Sequence, residues 1–206
     1  MKVPHWLRWF RIMALGLMVA WPSLKAAPVV IDPLALVAAA RQQVGVTVFY
    51  DPAYSKMDYP GGDVPLERGV CCDVVIRALR AQQFDLQKEV HEDMAQHFSL
   101  YPKQWGLPGP DSNIDHRRVP NLMTFFKRRG WHLALSSSAT DYQPGDIVTW
   151  NLRPSGSLPH IGIVSDRKAA DGTYLVIHNI GRGAQEENAL FQFTVIGHYR
   201  LPKKTG

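Results

Sequence analysis

Two cysteines, Cys71 and Cys72, stand side by side and are the only ones in the 206 residues. A bridge between chain neighbours is geometrically strained and easily reduced, so this pair is suited to chemistry more than to stapling a fold. Cys72, Val75, Ile76 and Leu79 recur at helical spacing, which places the pair in a first helical turn. There the positive end of the helix dipole stabilises a thiolate, the first requirement of a cysteine nucleophile. Adjacent helix positions point about 100° apart, so only one of the two can face a given base. Cys72 shares the apolar stripe, as a core residue would; Cys71 lies off it and is the expected nucleophile.

A nucleophile of this kind requires a base and a group that orients the base. His160 opens the apolar run His160-Ile161-Gly162-Ile163-Val164, a rigid strand that could hold an imidazole against the thiol. His178, followed by Asn179, closes the next strand and is the expected orienting group. Taken singly these signals are weak, because a buried cysteine is commonly just a small apolar core residue. The two histidines must also share one face of the sheet. A strict two-residue loop at Asp171-Gly172 would set His178 opposite Ser165, on the wrong face. An even register, reached by a longer loop or a bulge, is therefore expected, with His178 opposite Val164 or Gly162.

The elements that position these residues can be read along the chain. Asp32-Pro33 caps and opens a helix through Leu34, Leu36, Val37 and Ala40, closing near Gly45. Residues 46–69 hold Pro52, Pro60, Gly61, Gly62 and Pro65 among Tyr50, Tyr54 and Tyr59, an ordered loop of the functional sort. After the cysteine helix, Asp85 caps a second one through Leu86, Val90, Met94 and Phe98. Residues 101–113 read as irregular, and Pro120 to Arg129 as a short helix stopped by Gly130. His132–Leu135, Asp146–Trp150, His160–Ser165, Tyr174–His178 and Thr194–Tyr199 then read as strands. Helices first and strands afterwards predict a single α+β domain with N-terminal helices packed on a C-terminal antiparallel β-sheet.

The chain resembles the NlpC-type cell-wall peptidases, which are papain-like, in three places. Gly61-Gly62 lies a short way ahead of Cys71, Pro144-Gly145-Asp146-Ile147-Val148 looks like the family's Pro-Gly-Asp strand, and His160-Ile161-Gly162-Ile163-Val164 looks like its His-Val-Gly-Ile strand. From Tyr50 to Leu201 it more closely resembles a bacterial family known as domain of unknown function 1287. That likeness rests on Tyr59-Pro60-Gly61-Gly62-Asp63-Val64-Pro65, Gly69-Val70-Cys71, Asp73-Val74-Val75, Asp115 to Asn121, and His178-Asn179-Ile180-Gly181. The resemblance implies a papain-like NlpC-type fold and a cysteine peptidase or amidase, with Cys71, His160 and His178 as its catalytic residues and a peptide or amide bond of peptidoglycan as its substrate. Where NlpC enzymes show Cys-Ser-Gly, this chain has Cys71-Cys72-Asp73. The backbone N–H of the nucleophile is the natural first oxyanion donor, and a tyrosine from the preceding loop the second. Tyr59 is nearest the matching position, offset by one, and Tyr50 and Tyr54 stay open. Asn179 and Arg117 are further candidates for holding substrate or oxyanion. The cluster Asp115 to Arg118 reads equally as a solvated helix cap and as an Arg fork for a substrate carboxylate.

Residues 1–26 follow a secretory pattern: Lys2, Arg8 and Arg11, an apolar run from Ile12 to Trp21, then Ser23 to Ala26. The run is half the roughly 20 residues that a spanning helix requires. Export to the periplasm with cleavage after Ala26 is expected, leaving a soluble monomer with no membrane span. The leader holds four of the 23 Lys and Arg and none of the 18 Asp and Glu, so the remainder is 19 minus 18, or +1. A near-neutral domain has no electrostatic footprint for nucleic acid. His91, Asp93 and His97 do not form a zinc helix, because histidines six apart do not share a face cleanly, and no cofactor is expected.

Overall fold

The computed structural model describes residues 30–203, and the expected leader at 1–26 lies outside them. Four helices precede most of the sheet: α1 (Pro33–Arg41), α2 (Cys71–Arg80), α3 (Leu86–His97) and α4 (Val119–Arg128). Asp32 caps α1 by accepting from the Leu34 and Ala35 amides at 2.9 and 3.1 Å, and Asp85 caps α3 by accepting from the Gln87 amide.

The main sheet has five antiparallel strands in the order β6-β5-β4-β3-β7, where β3 is Ile147–Asn151, β4 Pro159–Lys168, β5 Tyr174–Asn179, β6 Ala184–Glu187 and β7 Thr194–Tyr199. The fold class is the expected one: α+β, helices packed on an antiparallel sheet. Strands alternate sides, and both sides are covered. Ile147, Ile161, Ile163 and Ile177 pack with α2, α1 and α4 in one cluster, while Val148, Trp150, Val164 and Val176 pack with Tyr142 and Leu190 in a second. Helix α2 is the hub, because every residue from Cys71 to Leu79 is buried.

Three local expectations differ from the structure. His132–Leu135 forms no strand; it touches β7 through the single bridge His132–Tyr199 and the Leu133 amide on the His198 carbonyl at 2.8 Å. Strand β6, with the sequence Ala184-Gln185-Glu186-Glu187, has no apolar alternation to betray it, because it is a sheet edge held through backbone pairing with β5. The loop 46–69 contains a two-stranded parallel sheet, β1 (Phe49–Tyr50) with β2 (Arg68–Gly69), which pairs Tyr50 with Gly69 two residues ahead of Cys71.

That loop is tied down from beneath. Arg77, buried on α2, grips both Asp63 oxygens at 2.9 and 3.0 Å, the Thr47 hydroxyl at 2.9 Å, and the Val64 and Arg68 carbonyls at 3.1 and 3.0 Å. Gly62 donates to Gln87 at 2.9 Å, and a Cβ there would stand 2.1 Å from the Asp58 carbonyl oxygen. The Gly61-Gly62-Asp63 motif is therefore a backbone clamp between the loop and the helices.

Candidate active site

The histidine strands set the site's geometry. Ile163 pairs with Ile177 and Val164 with Val176, the even register that chemistry demands; Lys168 already pairs with Tyr174 in the same parity, so the longer loop between them sets it, and the shift between Val164 and Lys168 leaves it unchanged. Continued by two residues, this pairing brings His178 across from Gly162. A Cβ on Gly162 would lie 3.0 Å from the His178 Cβ and 2.8 Å from Val176, so only glycine leaves room for the second imidazole beside the first. His160 Nε2 and His178 Nδ1 are 2.8 Å apart, and both rings lie against Trp150, at centroid distances of 5.9 and 6.3 Å. His160 and His178 are 2% and 1% exposed, so their contact lies in a largely dry setting.

Cys71 arrives from the other direction, at the first turn of α2. The neighbouring Cys72 thiol, the His160 ring and the Ile161 backbone hold the Cys71 thiol well below its ordinary pKa, against burial, which acts the other way. Burial, and the Cys71 sulfur next to it, push the Cys72 thiol well up. The two adjacent sulfurs are thus split, one toward thiolate and one toward inert thiol. Burial together with the His160 ring lowers His178 to about 4, so it is neutral near pH 7. Its Nε2 lies 3.0 Å from Glu187 Oε1, and Arg182 holds the other oxygen of that carboxylate at 2.6 Å.

The tyrosine beside the thiol is Tyr50. Burial raises its phenol, and so do the Cys71 and Cys72 sulfurs close by. Tyr59, the nearest by sequence offset, is not there. Its ring packs edge-on against His91 at 5.0 Å and faces Glu92, Asp85 and Glu89, because the Gly61-Gly62 clamp turns it toward α3. Tyr54 is also elsewhere, hydrogen-bonded to Asp111 at 3.1 Å. Strand pairing of Tyr50 with Gly69, which the loop's irregular sequence concealed, decides among the three.

Two further candidates are committed to structure. The Asn179 amide donates to the Gly69 and Phe49 carbonyls at 3.0 and 3.5 Å, and its oxygen accepts from the Gly181 amide at 3.2 Å, so it anchors the approach to Cys71. Arg117 is not an open fork for a carboxylate. It is buried, with its guanidinium on Asp73 at 2.9 and 3.0 Å and on the Asp51 and Ala53 carbonyls at 3.2 Å each. Asp73 in turn accepts the Val70 amide at 2.6 Å, capping α2. One ion pair thus ties the Tyr50 loop to the first turn of the cysteine helix. Asp146, of the Pro-Gly-Asp segment, binds Arg200 and His198, each at 2.7 Å, and closes the far end of β3.

A helix-borne thiol beside a buried, strand-borne imidazole pair in an α+β domain defines the protein as carrying a thiol–imidazole site. A family model described as domain of unknown function (DUF1287) matches residues 37–201, and the chain belongs to that family. It is 63% identical over 167 residues to the uncharacterized protein YijF of Escherichia coli (strain K12), covering 81% of this chain and 80% of the relative. Among solved structures it is similar to NlpC1 from Trichomonas vaginalis, at 12% identity and a TM-score of 0.43. That match covers 87% of this chain and 46%, just under half, of the other.

Proposed function

We propose that this chain is an exported cysteine hydrolase that cleaves an amide bond of peptidoglycan stem peptides through an acyl-enzyme. The observation that carries the reading is the placement of Cys71 in the first turn of α2 beside His160, whose Nε2 lies 2.8 Å from His178 Nδ1; the lowered Cys71 and raised Cys72 thiols accord with it. The Cys71 thiolate attacks the amide carbonyl carbon, and the oxyanion that forms is met by the Cys71 backbone N–H and the Tyr50 hydroxyl. His160, protonated, donates its proton to the departing amine as the C–N bond breaks. Water then attacks the thioester as His160 takes its proton, the C–S bond breaks, and the acid leaves with the Cys71 thiolate and protonated His160 restored. The peptide substrate and the periplasmic setting rest on the resemblance to NlpC-type peptidases and on the secretory pattern of residues 1–26.

The test is mass spectrometry of purified muropeptides incubated with the protein and with Cys71→Ala. Wild type should yield two fragments whose masses sum to the parent plus one water, and the variant none. Intact muropeptides in both arms would defeat the reading. A second reading is favoured by one observation: Val46, Val48, Phe49 and Leu66, on the same loop segment as Tyr50, are all exposed. Exposed apolar side chains on that segment suit a fatty acyl group, so lipid esters and amides form a parallel arm. Cleavage there alone would move the substrate class while keeping the mechanism.

A further inference from the structure

We infer that Glu187 is a positioning residue of this site, setting the tautomer and the charge of the imidazole pair from outside it. The inference rests on the thiol–imidazole reading above and extends the chain of groups by one member. A carboxylate can only accept, so the 3.0 Å contact between His178 Nε2 and Glu187 Oε1 requires the proton of His178 to sit on Nε2. Its Nδ1 is then a bare lone pair, and the 2.8 Å contact to His160 is made by His160 Nε2–H donating. His160 is left with Nδ1 as the one nitrogen able to trade a proton with Cys71. Every hydrogen in the row is assigned by the carboxylate at its end.

The sheet explains how Glu187 reaches this place. On β6 it pairs with Val176, and His178 pairs with Gln185, so Glu187 lies on the same face as His178, one diagonal step away. Arg182 occupies its second oxygen at 2.6 Å and fixes the carboxylate's rotation. The ionisable groups that bear on the row are Cys71, Cys72 and Asp73 on α2, Tyr50 on β1, His160 on β4, His178 on β5, and Arg182 with Glu187 about β6.

Two effects of Glu187 are separable. Its acceptor oxygen selects the Nε2–H tautomer of His178; without it, His178 is free to carry the proton on Nδ1 and point it at the His160 Nε2–H. Its charge bears directly on His178 and, through the hydrogen-bonded imidazole pair, favours positive charge beside the Cys71 thiolate. Glu187→Gln keeps an acceptor and removes the charge, whereas Glu187→Ala removes both.

The experiment uses two readouts that need no substrate. Nitrogen-15 spectra of the histidines report the tautomer of His178. The rate of iodoacetamide alkylation of Cys71 against pH, with the modified peptide identified by mass spectrometry, reports its thiolate. In Glu187→Ala, the Nδ1–H tautomer of His178 should appear, and alkylation near pH 6 should slow by about tenfold, as when an outer partner of a metal-binding histidine is lost. Glu187→Gln should keep the Nε2–H tautomer and slow alkylation less. Circular dichroism and the amide spectrum establish that both variants are folded, and the isosteric Gln replacement serves should Ala not fold. An unchanged His178 tautomer and an unchanged alkylation profile in folded Glu187→Ala would overturn the inference. Inert muropeptides with both shifts present would overturn the substrate reading alone.

Discussion

At the residue scale the informative contrast is between two cysteines of identical chemistry one position apart. Both are buried, at 4% and 0% exposure, yet only Cys71 has the His160 ring beside it and a hydrogen bond to the Tyr50 phenol. Cys71→Ala is expected to abolish turnover and thiol labelling with the fold intact. Cys72→Ala should stay active but with turnover and Cys71 labelling moved to higher pH, because the neighbouring thiol that favours the Cys71 thiolate is gone, and should cost on the order of 1 kcal/mol, the price of a small core truncation. Reaction rates against pH and urea unfolding of the two variants separate these outcomes, and a folded Cys72→Ala that is inactive at every pH would reverse the assignment. Tyr50→Phe keeps the ring and removes one oxyanion donor, so kcat should fall about 10²-fold with KM little changed. A kcat within a factor of two of wild type would remove Tyr50 from the oxyanion site.

At the element scale the site depends on how β4, β5, β1 and α2 are held against one another. Gly162 is where β5 closes on β4. Gly162→Ala should push the His178 backbone outward, cost about 1–3 kcal/mol of stability through overpacking, and reduce turnover more than that loss of fold would explain. Arg117 joins α2 to the Tyr50 loop through a nearly water-free pair with Asp73, whose side chains are 1% and 4% exposed. Removing one partner of such a pair strands the other charge. Arg117→Ala is therefore expected to lower stability by about 3–5 kcal/mol in urea titration. Arg117→Lys should not restore it, because an ammonium cannot span the carboxylate and two carbonyls that the planar fork reaches. Full stability in the Lys variant would show that charge alone suffices.

At the scale of the whole molecule, stability should be tied to pH through histidines that the fold keeps neutral. Burial lowers His178 to about 4, the His160 ring adding to it, and burial lowers His116 to about 3 with Arg117 beside it, from an ordinary value of 6.5. Below 6.5 the unfolded chain takes up protons that the folded chain refuses, so the unfolded state is favoured as pH falls. The loss should begin near pH 6.5, run at on the order of 1 kcal/mol per pH unit for each histidine, and end for His178 near 4 and for His116 near 3. Urea midpoints at pH 7, 6 and 5 measure it. His116→Gln should make the slope shallower, and a flat profile in wild type would contradict the burial of both rings.

Much of this site was legible in the order of residues. Helical spacing after Gly69 put Cys71 in a first turn, apolar runs put His160 and His178 on strands, and the demand for a common face predicted an even register between them. These are local or nearest-neighbour properties, which the period of a helix or a strand carries directly. What only the tertiary structure decided came from contacts between segments distant in the chain. Tyr50 displaced Tyr59 because β1 pairs with β2 inside an irregular loop. Arg117, which read equally as part of a solvated cap and as a substrate fork, is instead an internal clasp because Asp73, 44 positions earlier, takes its guanidinium. Glu187 had no sequence signal, since a polar edge strand carries no apolar period and its relation to His178 exists only across the β5–β6 ladder. Side-chain chemistry announces which groups can react, but which neighbour each one meets is set by how the chain folds back on itself.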